Sequence, residues 1–276
     1  MTLDRKPKGF MFDLDGTLIL SDRSLGGYTA IPGAAETLAA LDERGIPWIA
    51  MTNGSAYPAS VQAPRLREVG LPIRDERLFT PNSVAAKAMV ERDYRRVLVL
   101  GTQGVVDALE EMDVPCVGPD DEAAHEADAV YVAWHPDCTM THIHLACERV
   151  LEGAAFLTAS DIPWFAAKSG RAFGFSCAIN GAVSRITGVE PEPTGKPSAL
   201  ALTLVAEQLG IVEQDVGVVG DDAKAEMEMA RAGGAIGIAV ASGSTSREQW
   251  AAQPPERSPH VVIDSVQDLL AGGLIG

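Results

Sequence analysis

The amino-acid sequence predicts an α/β fold in which a parallel-sheet core is interrupted by a smaller α/β domain. Three observations carry that expectation. Strand-like apolar runs alternate with helical patterns through the first third of the chain, the alternation returns in the last third, and the stretch between follows a pattern of its own. Strand, helix, strand is the order that builds parallel pairs, because a crossover must bring the chain back to the same end of the sheet. At 276 residues the chain falls slightly short of two domains of about 150 residues, which suits one core with an insertion.

Taken in order, 9–13 reads as a strand, 34–44 as a helix, 46–52 as a strand and 60–69 as a helix. In the last third, 197–209 reads as helix, 216–220 as strand, 223–232 as helix and 235–240 as strand, with a further strand and helix at 260–264 and 266–270. The middle offers strands at 96–100 and 129–133, helices at 105–112 and 140–151, a strand-like run at 154–157, and an irregular Gly- and Ser-bearing segment over 158–180. Prolines crowd 191–197, which reads as a return linker because proline stiffens the chain and cannot donate to a ladder. The expected organisation is core over 1–92, inserted domain over 93–190, and core again over 191–276.

Composition excludes several classes of function. A formal charge of −16 argues against a partner with a phosphate backbone, so no nucleic acid is expected. No apolar run approaches the roughly 18 residues of a membrane span, and the N-terminal apolar stretch is too short for a signal-peptide core, so neither membrane insertion nor export is expected. Four cysteines in a chain of this length are too sparse for a disulfide framework, which fits a cytoplasmic location. An anionic substrate would have to be met by local positive charge or a metal ion against this acidic field.

Four segments carry chemistry. Phe12-Asp13-Leu14-Asp15-Gly16-Thr17 places two carboxylates at i and i+2 where the first strand leaves the sheet, at the edge where parallel sheets bind ligands. Thr52-Asn53-Gly54-Ser55 closes the second strand with a hydroxyl and turn N–H groups suited to a phosphoryl oxygen. Gly195-Lys196-Pro197 sets one of only six lysines at the predicted start of a helix. Gly220-Asp221-Asp222, with Glu226 beyond, ends another strand in acids that suit a hard cation. Each segment taken alone is also ordinary turn, linker or cap chemistry; their order along one α/β chain is the specific feature.

That ordered set resembles the four motifs of the haloacid dehalogenase-like superfamily, with a Rossmann-like core and a large cap inserted between the second and third motifs. Pro32-Gly33-Ala34, Thr52-Asn53-Gly54-Ser55 and Gly195-Lys196-Pro197 are similar to the group that includes NagD-type proteins, 4-nitrophenyl phosphatases, phosphoglycolate phosphatases and nucleotide monophosphate phosphatases. The resemblance implies a Mg²⁺-dependent phosphatase acting on a small phosphorylated metabolite. Asp13 is then the nucleophile and Asp15 the acid and base, with Thr52 and Lys196 holding the phosphoryl group and Asn53 and Gly54 binding substrate beside them. Mg²⁺ is held by Asp13, the Asp15 carbonyl and Asp221. In the cap, Asp161 and Trp164 are the expected substrate contacts, and a homodimer is the one protein assembly expected.

The sequence also departs from the family pattern. Glu226 stands where aspartate is usual, which leaves open whether it or Asp222 supports the metal, and the cap reads Thr158-Ala159-Ser160-Asp161 where many members carry Thr-Asn-x-Asp. A metal-free dehalogenase and a catalytically weak protein that binds a phosphorylated ligand are the competing functions. His135, Cys138, His142, His144 and Cys147 fall within thirteen residues, but the two cysteines are nine apart and the stretch has the pattern of an amphipathic helix. They are expected to be incidental to a cap helix rather than zinc ligands.

Overall fold

The computed structural model describes residues 5–22, 27–167, 170–271 and 273–275. They fall into two compact units: Met1–Thr52 with Ser60–Phe79 and Lys196–Gly276, and Asn53–Ala59 with Thr80–Gly195. Among the described residues no helix is long and apolar enough to cross a membrane.

The first unit is organised on a six-stranded parallel sheet in the order Val261–Ile263, Ile236–Val240, Val216–Gly220, Gly9–Asp13, Trp48–Met51, Leu78–Phe79. The middle four strands are buried along their whole length, as expected for a parallel sheet covered on both faces. From Gly9–Asp13 the chain builds outward first on one side and later on the other. The strand order therefore reverses between Gly9–Asp13 and Val216–Gly220, which opens a crevice at their carboxyl ends. The helix expected to open at Pro197 begins instead at Ala199, where the Ser198 hydroxyl accepts from the Ala201 N–H at 3.2 Å. Lys196 is thereby left in the connection before the helix.

The second unit has its own five-stranded parallel sheet, ordered Glu192–Pro193, Ala155–Thr158, Ala129–Val132, Val97–Leu100, Cys116–Val117. Its order also reverses, between Val97–Leu100 and Ala129–Val132. The helix Pro81–Glu91, which the expected boundary at 92 leaves in the core, belongs here: Ala85, Ala86 and Met89 are buried in one cluster with Val97, Val99, Tyr131 and Leu157. An apolar helix face does not state in sequence which of two sheets it covers. The short segment Asn53–Ala59 is tied to the same unit, because Asn82 donates to the Ser55 carbonyl at 2.8 Å and accepts from the Tyr131 hydroxyl at 2.9 Å.

Two further expectations change. The segment 158–180 is not irregular: it contains the antiparallel strands Trp164–Ala167 and Gly170–Phe173 and the start of the helix Phe175–Thr187. The proline-rich return is not only a linker, since Glu192–Pro193 pairs with Leu157 and Thr158 at the sheet edge, a place where proline is tolerated. The histidine and cysteine residues also divide. Cys147 is buried in an apolar cluster and His144 is paired with Glu148 at 3.3 Å, whereas His135, Cys138 and His142 converge on one another.

Candidate active site

The site is assembled at the crevice of the first unit, from the ends of adjacent strands. Asp13 is the last residue of the central strand and is 8% exposed. Its carboxylate forms an ion pair with the Lys196 ammonium and accepts from the Thr17 hydroxyl at 3.3 Å. Lys196, 2% exposed, also donates to the Met51 carbonyl at 3.0 Å and pairs with Glu226 at 2.8 Å. One buried ammonium thus joins the ends of three elements.

Glu226 is the residue that sequence reasoning left in doubt, and the structure places it inside. The chain leaves Val216–Gly220 and enters a π-helical turn over Ala223–Met227 that aims the Glu226 side chain back at the strand end. Its second oxygen accepts from the Asp222 N–H at 3.0 Å. A side chain at Gly220 would collide with it, because a Cβ there would stand 2.2 Å from the Glu226 Cγ. Asp222 itself caps the turn by accepting from the Lys224 N–H at 2.7 Å, so its carboxylate serves the backbone.

Asp221 is 7% exposed and is held by a loop that the sequence reading passed over. The Ser244 N–H donates to its carboxylate at 2.6 Å and the Ser244 hydroxyl to its carbonyl at 3.0 Å, while the Ser242 hydroxyl donates to the Gly16 carbonyl at 2.8 Å. The signal was available: Ala241-Ser242-Gly243-Ser244 follows the end of a predicted strand neighbouring the Asp221 strand, where parallel sheets bind ligands. Gly16 turns with φ +82°, and a Cβ there would lie 2.4 Å from an Asp221 oxygen. Only a glycine meets both demands.

Electrostatics set the character of the cluster. Burial pushes the Asp13 carboxyl well above the ordinary carboxylate range; Glu226 and Asp221 add to the rise and Lys196 opposes it. Burial raises Glu226 and Asp221 in the same direction, with Lys196 opposing at Glu226 and the Ser244 N–H at Asp221. Burial works against the charge on Lys196, but Asp13 and Glu226 prevail and hold it an ammonium, with its pKa above the usual lysine value. Asp13, Asp221 and Glu226 each present an oxygen within 4.8 Å of the others. Ionised together against a single ammonium they leave two negative charges in excess. An all-oxygen donor set with that excess fits a hard divalent cation.

The remaining predicted residues are placed as follows. Asp15 is exposed, so its side chain is available at the surface of the crevice rather than packed within it. Thr52 is buried at the end of the strand Trp48–Met51, its N–H donating to the Phe79 carbonyl at 3.0 Å. Asn53 and Gly54 fall in the second unit, where Asn53 is half-buried and Gly54 exposed. Asp161, exposed, accepts from the Asn180 amide at 3.3 Å within that unit. Trp164 lies on the strand Trp164–Ala167, and its side chain is outside the described residues.

Residues 10–115 match the family described as haloacid dehalogenase-like hydrolase, and residues 193–269 match the one described as HAD-hydrolase-like. The 5'-nucleotidase YutF of Bacillus subtilis (strain 168) is 26% identical over 262 residues, spanning 95% of this chain and 96% of the relative. The solved p-nitrophenyl phosphatase from Archaeoglobus fulgidus has a TM-score of 0.85 at 26% identity, covering 97% of this chain and 100% of that one. A glycerol phosphate phosphatase from Mycobacterium tuberculosis shares the fold at 22% identity. Its complex with calcium has a TM-score of 0.80 and covers 95% of this chain and 74% of that one; its complex with magnesium has 0.79, 96% and 76%.

Proposed function

We propose, from the premise that this chain belongs to the haloacid dehalogenase-like hydrolases and is a phosphatase, that it is a Mg²⁺-dependent enzyme hydrolysing a small phosphomonoester through an aspartyl-phosphate. The observation that carries the reading is the buried Asp13 carboxylate, set at the strand end against the Lys196 ammonium with Asp221 and Glu226 beside it.

In the first half-reaction an Asp13 oxygen attacks phosphorus, forming a new O–P bond as the bond to the leaving alcohol oxygen breaks. Asp15 delivers its proton to that oxygen. In the second, a water attacks the phosphorus of the aspartyl-phosphate, Asp15 takes the water's proton, and phosphate leaves with Asp13 restored. The exposure of Asp15 suits a group that must meet both a leaving alcohol and an incoming water. Lys196 supplies fixed positive charge for the equatorial oxygens, already desolvated and oriented by Glu226 and the Met51 carbonyl, so little reorganisation is needed as charge builds. Thr52 offers its hydroxyl to the same oxygens. The phosphate-contacting roles of Asn53 and Gly54 rest on the motifs, and the substrate contacts of Asp161 and Trp164 on the polar and aromatic side chains their cap segment offers.

The residues that would hold Mg²⁺ are Asp13, Asp221 and the Asp15 backbone carbonyl. The ion supplies charge neutralisation between an anionic nucleophile and an anionic substrate. Glu226 instead holds Lys196, its extra methylene reaching the ammonium from the turn.

The test is turnover of 4-nitrophenyl phosphate by the purified protein with Mg²⁺ and after exhaustive chelation. Mg²⁺-restored turnover together with acid-stable, Asp13-dependent phosphorylation of the chain is the expected result. Undiminished activity without metal would turn the reading toward a metal-free displacement, and no turnover in either state toward a ligand-binding protein.

A further inference from the structure

The second unit holds a cluster that the phosphatase chemistry does not use. His135 follows the strand Ala129–Val132, Cys138 lies in the loop beyond it, and His142 is in the first turn of the helix Met140–Leu151. This is the carboxyl edge of the second sheet, beside the point where its strand order reverses. His135 Nε2 and His142 Nδ1 are 3.1 Å apart, and the two rings are parallel within 8°. With the Cys138 sulfur, one ligand atom from each residue lies within 4.8 Å of the other two.

Two features distinguish this from a chance contact. His142 is positioned by reciprocal contacts with Thr139, which caps the helix by accepting from the His142 N–H at 3.3 Å while its own N–H faces the His142 ring nitrogen at 3.4 Å. Its other ring nitrogen stands 3.7 Å from the Asp120 carboxylate, in a loop after the strand Cys116–Val117. That approach is short of a hydrogen bond; closing it would supply the carboxylate partner that orients a metal-bound imidazole. All three residues are half-buried, enough to be positioned and still reachable by an ion from solvent.

We infer that His135, Cys138 and His142 form a zinc-binding site in the second unit, separate in chemistry from the oxygen cluster around Asp13. Two nitrogens each ~2.0–2.1 Å from one zinc in tetrahedral geometry stand roughly 3.3 Å apart, close to the separation the two rings already have. A thiolate and two imidazoles are a borderline-soft set that selects Zn²⁺ over Mg²⁺. Binding replaces both the contact between the rings and the Thr139 N–H contact to the same His142 nitrogen, releases the Cys138 proton to solvent, and leaves the fourth position to water. The spacing is His-x₂-Cys-x₃-His, so a search for paired cysteines passes it by.

The test titrates the full-length, metal-stripped protein with Zn²⁺ by calorimetry in two buffers of different ionisation heat, and with Co²⁺ by absorption. The expected result is a site that releases about one proton per zinc and whose Co²⁺ form shows a thiolate-to-cobalt charge-transfer band in the near ultraviolet. Cys138→Ser should abolish that band and weaken zinc binding at this site by ~100-fold or more. His144→Ala, two residues beyond His142 in sequence but paired with Glu148, should change neither. Mg²⁺-dependent turnover should survive in both variants, which separates this site from the oxygen cluster. If Cys138→Ser does not fold by circular dichroism, His135→Gln serves in its place, with zinc affinity weakened and the band reduced in parallel. A wild-type protein without the charge-transfer band, or a band and affinity unchanged in the Cys138 and His135 variants, overturns the inference.

Discussion

In the first unit the strand order reverses beside Gly9–Asp13, and in the second it reverses beside Val97–Leu100; at each carboxyl edge a cluster of titratable side chains has gathered. The first is made of carboxylates and an ammonium, all but sealed from solvent. The second is made of imidazoles and a thiol, half open to it. The contrast is one of obligation. Buried carboxylates are costly unless counter-charge is built in, so Lys196 is part of the first cluster as much as any acid. Imidazoles and a thiol carry no such requirement, and the second cluster holds its shape through helix capping and ring contact. Changes in the first should therefore cost both chemistry and stability, and changes in the second should cost only metal affinity.

The sharpest way to break the comparison is at the nucleophile. Asp13→Asn keeps the shape of the side chain and should lower kcat by at least about 1,000-fold in 4-nitrophenyl phosphate turnover, leaving the circular dichroism spectrum intact. Asp15→Asn should lower it by roughly 100- to 10,000-fold and slow both formation and hydrolysis of the phosphorylated chain, resolved by rapid quench. Residual steady-state activity near the wild-type level in Asp13→Asn would remove it from the chemistry.

Lys196→Ala tests the obligation itself. Asp13 and Glu226 lose their shared counter-charge, and breaking a buried pair in this way costs about 3–5 kcal/mol. The pH dependence has a definite sign. Burial already raises the folded-state values of Asp13 and Glu226, and Lys196 is what opposes the rise, so without it both climb further. A carboxyl group raised in the folded state contributes stability below its unfolded value and loses it as pH rises through the folded one. Metal-free Lys196→Ala should therefore be closest to wild type in acid and fall behind as the pH rises above the ordinary carboxylate range. Equal destabilisation at every pH by urea unfolding would contradict a charge-pairing role.

How much of this was legible in sequence follows from what kind of information each part needs. Asp13 and Asp221 were legible because acids at the ends of apolar strands announce the binding edge of a parallel sheet. Lys196 was legible as one of only six lysines, set at a predicted helix start, but its burial was not, because the helix was read as starting at Pro197 and in fact starts after the Ser198 cap. Glu226 was left in doubt because its role depends on a π-helical turn, and a pattern of 3.6 residues per turn does not reveal where the ladder slips. Ser242 and Ser244 were missed because a Gly- and Ser-rich stretch reads as loop whatever it touches. His135, Cys138 and His142 were dismissed on cysteine spacing, since their convergence is made by a loop whose path no periodicity records.

A smaller effect should come from Gly16→Ala, which touches no reacting atom. The positive φ costs an alanine about 1–2 kcal/mol, and the new Cβ meets an Asp221 oxygen 2.4 Å away. Asp221 must then shift off the Ser244 N–H. The Mg²⁺ concentration for half-maximal activity should rise by about tenfold, with kcat at saturating Mg²⁺ much less affected. An unchanged metal requirement would mean that Asp221 does not support the ion.

The smallest effect, and the one that sharpens the comparison most, concerns Asp161. If it contacts substrate as proposed, Asp161→Asn should reorder substrates by kcat/KM by about tenfold or less, because one neutralised hydrogen-bonding group in a polar site is a modest discriminator. The structure supplies a second, independent readout. Burial, then the neighbouring Asp161 carboxylate, push the Cys177 thiol up to about 11. Removing that carboxylate's charge lowers the Cys177 value, so its thiolate fraction at mildly alkaline pH grows and alkylation by iodoacetamide quickens. Faster alkylation with an altered substrate ranking means that Asp161 serves both the local packing and the substrate. Faster alkylation with every substrate scaled by one factor means that its carboxylate belongs to the second unit's internal network with Asn180 and Cys177, and the residues that choose the leaving group lie elsewhere.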